Sequence, residues 1–82
     1  MDISVIIVNW NTKDFLSQCL RSVYETIRQL TFEIIVVDNA STDGSVTMLK
    51  GEFPFVIVVE NPINRGFGAA NNQALQIGRA HV

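Results

Sequence analysis

Three short runs of apolar, mostly β-branched residues alternate along the chain with segments of helical periodicity. The runs lie at residues 3–8, 32–37 and 55–59, and their nearly continuous hydrophobicity is typical of parallel strands covered on both faces. Between the first two runs, residues 13–29 place their apolar side chains at helical spacing on one stripe. The pattern predicts the element order β-α-β-α-β-α.

Polar residues and glycines predict where the helices begin and end. Gly51 is expected to end the second helix near Lys50, and Gly78 to end a third, Ala-rich helix over residues 67–77. Four polar residues are candidate helix caps: Asn11 or Thr12 for the first helix, and Ser41 or Thr42 for the second.

Strands that alternate with helices indicate a parallel sheet joined by right-handed crossovers. The simplest arrangement is a Rossmann-like, three-layer α/β fold with strand order 3-2-1. The first two helices then cover one face of the sheet, and the third covers the other. The third helix would lead through residues 79–82 into a fourth strand beside the first. Without that strand, the first strand is an apolar edge that favours self-association.

Composition excludes several classes of function. The chain has 82 residues and a net charge of −2 without a basic run, so nucleic-acid binding has no electrostatic support. The single cysteine excludes an internal disulfide. The start is unlike a signal peptide, and no apolar run approaches the roughly 20 residues that span a bilayer. These features favour a cytoplasmic protein that reaches the inner membrane surface only through other segments.

Polar residues directly follow each predicted strand, at residues 9–11, 38–41 and 61–66. Because the carboxyl ends of parallel strands meet at one edge, where open α/β sheets bind ligands, these residues are expected to converge. Asp38 is the leading candidate, since a carboxylate accepts hydrogen bonds and suits a uracil or thymine N–H or the ribose hydroxyls. The alternative, equally supported by spacing, is that Asp38 caps its own turn through the amides of residues 39–41.

Other candidate residues carry a structural alternative as well. The loop after the first strand contains no glycine and no P-loop motif occurs, which disfavours dinucleotide and P-loop binding. Trp10 is a candidate to flank a base, with packing at the edge as the favoured alternative. Arg65 is a candidate for a phosphate, although a lone loop arginine is more often solvated. Asn71 and Asn72 are unusual inside a helix, and face either the site or solvent.

Three motifs occur in order along the chain: SVIIVNWN at residues 4–11, EIIVVDNASTDGS at 33–45, and ENP at 60–62 followed by NRGFGAANNQ at 64–73. Together they resemble the amino-terminal half of family 2 glycosyltransferases, most closely the bacterial rhamnosyltransferase-like branch. The resemblance covers nearly the whole chain, and it is specific for the family but not for the sugar.

The resemblance implies a GT-A fold and a nucleotide diphosphate sugar donor, often UDP- or dTDP-linked. It implies inverting transfer to an acceptor hydroxyl, in cell-surface polysaccharide synthesis. By family position, Asp38 would contact the donor base, residues 9–11 would line the base and ribose, and residues 64–72 would flank the nucleotide. The predicted nucleotide-binding residues are Asp38, Asn9, Trp10, Asn11, Asn39, Asn64, Arg65, Gly66 and Asn71.

The resemblance also implies a divalent cation, Mg or Mn, held by an Asp-x-Asp motif after Gly78, and a catalytic base further along. No Asp-x-Asp occurs in this chain. We therefore expect residues 1–82 to be the nucleotide-sugar-binding part of a GT-A domain, which alone binds no cation and transfers no sugar. The alternatives are a non-catalytic nucleotide-binding or interaction module, or an inert truncated product. Of the remaining residues, Cys19 is expected in the core, and His81 is given no role.

Overall fold

A computed structural model describes residues 3–80 of the chain. The three strands are parallel and lie in the order β1-β2-β3, which confirms the predicted α/β fold and its strand order. The elements are β1 (Ile3–Asn9), α1 (Lys13–Thr26), β2 (Phe32–Asn39), α2 (Ser45–Glu52), β3 (Ile57–Asn61) and α3 (Gly66–Ala80).

The central strand β2 separates two hydrophobic cores. Successive side chains of a strand point to opposite faces, so alternate residues of β2 enter different cores. The first core, beneath α1 and α2, consists of Leu16, Leu20, Ile34, Val36, Leu49 and Val56. The second core, beneath α3, consists of Ile35, Val37, Ala70 and Ala74. The first two helices therefore cover one face and the third covers the other, as the sequence predicts.

Neither of the two glycines that were predicted to end a helix does so. Gly51 lies inside α2, and α3 continues through Gly78 to Ala80. A glycine ends a helix when its backbone adopts a positive φ. The described glycines with positive φ are Gly44 at 86° and Gly66 at 80°, and both lie where a helix begins. Ala80 is therefore helical, while His81 and the rest of the expected fourth strand lie outside the described residues.

Asp43, which the sequence indicates as a surface charge or a cap, caps both of the first two helices. Thr12 precedes α1, but its hydroxyl donates to Asn9 Oδ1 at 2.7 Å instead of capping the helix. The Asp43 carboxylate accepts hydrogen bonds from Lys13 N at 2.9 Å and from Ser45 N at 3.0 Å, the first residues of α1 and α2. One carboxylate thus serves two helix N-termini, where the helix dipole favours negative charge.

Three apolar residues are more exposed than the sequence pattern predicts. The backbone N–H of Val56 donates to Phe53 O at 3.1 Å, forming a turn that delays the start of β3 to Ile57. Phe55, predicted within the strand, is consequently 87% exposed. Phe15 is exposed on α1, and Cys19 is only half-buried. The apolar stripe of α1 is therefore narrower than its periodicity suggests.

Candidate functional site

The loops that follow the three strands lie together at one edge of the sheet. Asn9 is level with Asp38 and Asp38 with Glu60, while Asn39 is level with Asn61. We call this edge, formed by residues 9–12, 38–43 and 61–66, the carboxyl edge. It brings together the polar segments that the sequence predicts to converge.

Asp38 is buried at the centre of the carboxyl edge, with 2% of its surface exposed. Its Oδ1 accepts a hydrogen bond from Asn9 Nδ2 at 2.8 Å, and its Oδ2 accepts one from Ser41 N at 2.9 Å. Asn9 is buried as well and donates a second hydrogen bond to Ser41 Oγ at 3.2 Å. Of the two alternatives for Asp38, the structure contains the turn contact, and contact with a nucleotide stays a prediction.

The loops after β1 and β2 are hydrogen-bonded to each other. The Asn11 N–H donates to Ser41 Oγ at 2.9 Å, and the Thr42 N–H donates to Asn11 Oδ1 at 2.7 Å. Asn11 and Ala40 have φ angles of 52° and 60°, a left-handed conformation that non-glycine residues seldom adopt. Trp10, which lies between Asn9 and Asn11, is 56% exposed.

A second buried cluster lies on the α3 side of the sheet. Asn39 points there because it follows Asp38 in the strand, and it is 2% exposed. Its Oδ1 accepts hydrogen bonds from Asn61 Nδ2 at 2.9 Å and Arg65 N at 3.4 Å, and its Nδ2 donates to Gly66 O at 3.3 Å. Asn61 and Gln73 exchange two hydrogen bonds, of 2.9 and 3.0 Å.

Asn61 lies in the third polar segment that the sequence predicts at this edge, but neither Asn61 nor Gln73 is among the nine predicted nucleotide-binding residues. A signal for Asn61 was present, since it ends an apolar strand, as Asn39 does. Gln73 carried no such signal, because a glutamine is common on an exposed helix surface.

The turn before α3 presents polar groups to solvent. Asn64 Oδ1 accepts a hydrogen bond from the Gly66 N–H at 2.7 Å, and Gly66 is exposed. Arg65 is exposed, while Asn71 is partly buried one turn further along α3. The structure therefore divides eight of the nine predicted residues into buried anchors and accessible groups, and the partly buried Asn71 belongs to neither. The anchors are Asn9, Asp38 and Asn39, and the accessible groups at the edge are Trp10, Asn11, Asn64, Arg65 and Gly66.

The carboxyl edge contains a shallow cavity of about 400 Å³ between the loop after β2 and the end of β3. Its volume lies at the lower end of the range for small-molecule sites. Asp38 and Asn61 line this cavity, whereas Trp10 and Arg65 do not. A larger cavity of about 590 Å³ lies between α1 and α2, away from the predicted residues.

The Asp43 cap makes stability depend on pH. The hydrogen bond from the Ser45 hydroxyl holds the pKa of Asp43 below its ordinary value of 3.8, with the N–H groups of Lys13 and Ser45 adding to the effect and desolvation opposing it. A lowered pKa in the folded state means that ionised Asp43 stabilises the fold fully above its ordinary value of 3.8, and that this contribution is lost as pH falls through the lower folded value.

We expect the difference in free energy of unfolding between the wild type and Asp43→Asn to narrow on acidification. The reason is that protonation of Asp43 in the wild type removes the negative charge that the variant already lacks. Urea titrations at several values between about pH 6 and pH 3 would measure the difference. A difference that stays constant over this range would contradict the role assigned to Asp43.

Two further features bear on cofactors and membranes. Within residues 3–80, no group of three or more His, Cys, Asp or Glu side chains could hold a metal ion. The residues present therefore do not fit the cation that the family resemblance implies. No helix in the described part of the chain is long and apolar enough to cross a bilayer.

A parallel α/β sheet with polar groups gathered at its carboxyl edge has the Rossmann-like architecture, in which ligands generally bind at that edge. The family model for glycosyl transferase family 2 matches residues 4–81. The chain therefore belongs to glycosyltransferase family 2. Its structural neighbours are glycosyltransferases of the GT-A fold. This confirms the family that the three motifs indicate.

Several known proteins are similar to the chain. The poly(ribitol-phosphate) beta-glucosyltransferase of Bacillus spizizenii is 39% identical over 96% of this chain and 13% of its own length. Mannosyltransferase PcManGT from Pyrobaculum calidifontis, solved in complex with GDP-Man and Mn²⁺, is 29% identical with a TM-score of 0.80. TarS 1–349 of S. aureus is 28% identical, also with a TM-score of 0.80. Each structure covers 93% of this chain, which spans 24% of the solved protein.

Proposed function

We propose that the chain forms the nucleotide side of a donor site in a glycosyltransferase that moves a sugar from a nucleotide diphosphate to an acceptor hydroxyl with inversion. The observation that carries the proposal is the carboxyl edge, where three strand-end loops of a family 2 domain are hydrogen-bonded around Asn9, Asp38 and Asn39. The glucosyl- and mannosyltransferase relatives support sugar transfer as the reaction class.

The accessible groups at the carboxyl edge suit a nucleotide diphosphate. The exposed indole of Trp10 offers a face for the base, and Arg65 offers a guanidinium that pairs with phosphate through two N–H groups. Asn11 and Asn64 offer carboxamides for the ribose. Asp38 has acceptor capacity beyond its two hydrogen bonds, so it remains the proposed partner of a base N–H at the inner end of the site.

The finer assignments are also proposals. The donor is UDP- or dTDP-linked, and the PcManGT complex makes a GDP-linked donor the comparison to test. In a full-length parent enzyme, residues beyond those described would hold a divalent cation, Mg or Mn, which would supply positive charge for the leaving diphosphate. We further propose a rhamnosyltransferase-like enzyme of the cytoplasm, at the inner membrane surface, that acts in polysaccharide synthesis. The exposed edge of β1 is the proposed surface for self-association.

Nucleotide binding can be followed at a single indole signal, because Trp10 is the chain's one tryptophan. We expect UDP or dTDP to shift the Trp10 indole N–H cross-peak in two-dimensional NMR spectra. The dissociation constant should be about 1 mM, since only part of a donor site is formed by this chain. GDP, added under the same conditions, tests the preference for the base.

Two arginine variants distinguish nucleotide binding at the carboxyl edge from a general effect of the protein's positive charges. Arg65→Ala should weaken the nucleotide response, whereas Arg28→Ala should leave it unchanged. Arg28 is exposed beyond the far end of α1 and donates to Glu25 O at 2.8 Å. Inorganic diphosphate alone should produce a smaller shift than the nucleotides. A Trp10 signal that stays fixed with all three nucleotides would refute the proposed function.

A further inference from the structure

Three buried or partly buried carboxamides join β2, β3 and α3 beside the proposed site. We call Asn39, Asn61 and Gln73 the amide network. Asn39 and Asn61 are 2% and 5% exposed, and Gln73 is partly buried. The Asn61 Nδ2 donates to both neighbours at 2.9 Å, and the Asn61 Oδ1 accepts a hydrogen bond from Gln73 Nε2 at 3.0 Å. The network is therefore a chain of hydrogen bonds that runs from α3 to the central strand.

The network ends on the backbone of the turn that precedes α3. Asn39 Oδ1 accepts a hydrogen bond from Arg65 N, and Asn39 Nδ2 donates to Gly66 O. A carboxamide can rotate by a half-turn and exchange its oxygen and nitrogen, which have opposite hydrogen-bonding roles. Because Asn61 donates to Asn39 Oδ1, it fixes the orientation of the Asn39 carboxamide in which Asn39 Nδ2 donates to Gly66 O.

We propose that Asn61 and Gln73 are positioning residues for the nucleotide site. Gln73 orients Asn61, Asn61 orients Asn39, and Asn39 fixes the turn that carries Arg65. Neither Asn61 nor Gln73 contacts the nucleotide in this scheme. The importance of the turn for ligand binding rests on the proposed function, but the orientation of the turn by the network does not. A purely structural role would instead stabilise the whole chain without a particular effect on residues 65 and 66.

Gln73→Leu tests the proposal, because it preserves the approximate volume of the side chain and removes both hydrogen bonds to Asn61. Gln76→Leu is the matched control, since Gln76 is exposed on the same helix. Gln73→Leu leaves the buried carboxamide of Asn61 without two of its hydrogen bonds, a loss of roughly 1–2 kcal/mol, and about 1.4 kcal/mol corresponds to a factor of ten. We therefore expect hydrogen exchange at the backbone N–H of Arg65 to accelerate about tenfold in this variant. The backbone N–H shifts of Arg65 and Gly66 should also change, and Gln76→Leu should alter neither quantity.

Gln73→Glu keeps the measurement possible if the leucine variant does not fold. The carboxylate can still accept a hydrogen bond from Asn61 Nδ2 but cannot donate to Asn61 Oδ1. Its effect on the Arg65 amide should therefore lie between those of the wild type and the leucine variant. Equal acceleration of exchange along β2 and at Arg65, with unchanged Arg65 and Gly66 shifts, would overturn the proposal in favour of a purely structural role.

The UDP titration separates this proposal from the proposed function. If the wild type binds UDP, Gln73→Leu should weaken that binding several-fold, and Gln76→Leu should leave it unchanged. An unchanged affinity for UDP in Gln73→Leu would overturn the link between the amide network and the site. If the wild type binds no nucleotide, the proposed function fails. The amide exchange at Arg65 then still decides whether Asn61 and Gln73 orient the turn.

Discussion

Replacing Asp38 with alanine is expected to lower the free energy of unfolding by about 3 kcal/mol, because two donors lose their acceptor. Asn9 Nδ2 and Ser41 N both donate to this carboxylate, and Asn9 and Asp38 are almost fully buried. An unsatisfied buried donor costs roughly 1–3 kcal/mol. A chain of 82 residues has little stability to lose, so a large unfolded fraction is expected. Urea titration followed by circular dichroism measures the change.

Two further variants identify the cause of that loss. Asp14→Ala removes an exposed carboxylate from the first turn of α1 and should cost at most about 1 kcal/mol. Asp38→Asn keeps one acceptor oxygen of the two and should fall between Asp14→Ala and Asp38→Ala. If Asp38→Ala proved as stable as Asp14→Ala, the two loops would not depend on this carboxylate, which would contradict its role as a buried anchor.

The architecture could be predicted because it depends on patterns within single elements. The continuous apolar runs of β1 and β2 predicted parallel strands, which the structure confirms. Residues 34–37 of β2 are almost fully buried as predicted, whereas the apolar residues of β1 are only partly buried, since β1 lies at the edge of the described sheet. Ala70 and Ala74 predicted a helix that lies close to the sheet, which α3 does. The ends of the elements were less predictable, since the turn at Phe53 and Val56 depends on backbone contacts that apolar composition does not encode.

The candidate site was predictable in its place but not in the roles of its side chains. Parallel topology alone puts the strand ends at one edge. Whether a polar residue there is free or already bonded depends on partners distant in sequence: Asn9 lies 29 residues from Asp38, and Lys13 lies 30 residues from Asp43. The spacing therefore left the alternatives for Asp38 open. It indicated Asp43 as a surface charge or a cap, but not that its carboxylate would bind the first residues of two helices.

The separation of anchors from accessible groups has a consequence for how variants should be interpreted. Loss of nucleotide binding in an Asp38 or Asn39 variant would follow from displaced loops even without any ligand contact. Variants of Trp10 and Arg65 test contact more directly, because these side chains are exposed at the carboxyl edge. Stability and affinity must therefore be measured on the same variants, so that a displaced loop is distinguished from a lost contact.

Enlarging Ala74 to leucine is expected to cost about 3 kcal/mol, because the added carbons have no space beneath α3. Ala74 is fully buried and belongs to the second core with Ile35 and Val37. Interiors are close-packed, so α3 must move away from β2 to admit the larger side chain. The adjacent Gln73 would move with it and lose its hydrogen bonds to Asn61. The melting temperature should fall by about 4–8 °C for each kcal/mol lost.

Ala69→Leu is the matched control, since Ala69 is exposed on the same helix and the substitution is identical. Its free energy of unfolding should stay within about 0.5 kcal/mol of the wild type. Arg65 amide exchange should accelerate in Ala74→Leu but not in Ala69→Leu, because only the first displaces the helix that carries Gln73. Equal melting temperatures for the two leucine variants would show that α3 does not depend on close contact with the sheet, and the placement of the turn before it would need another cause.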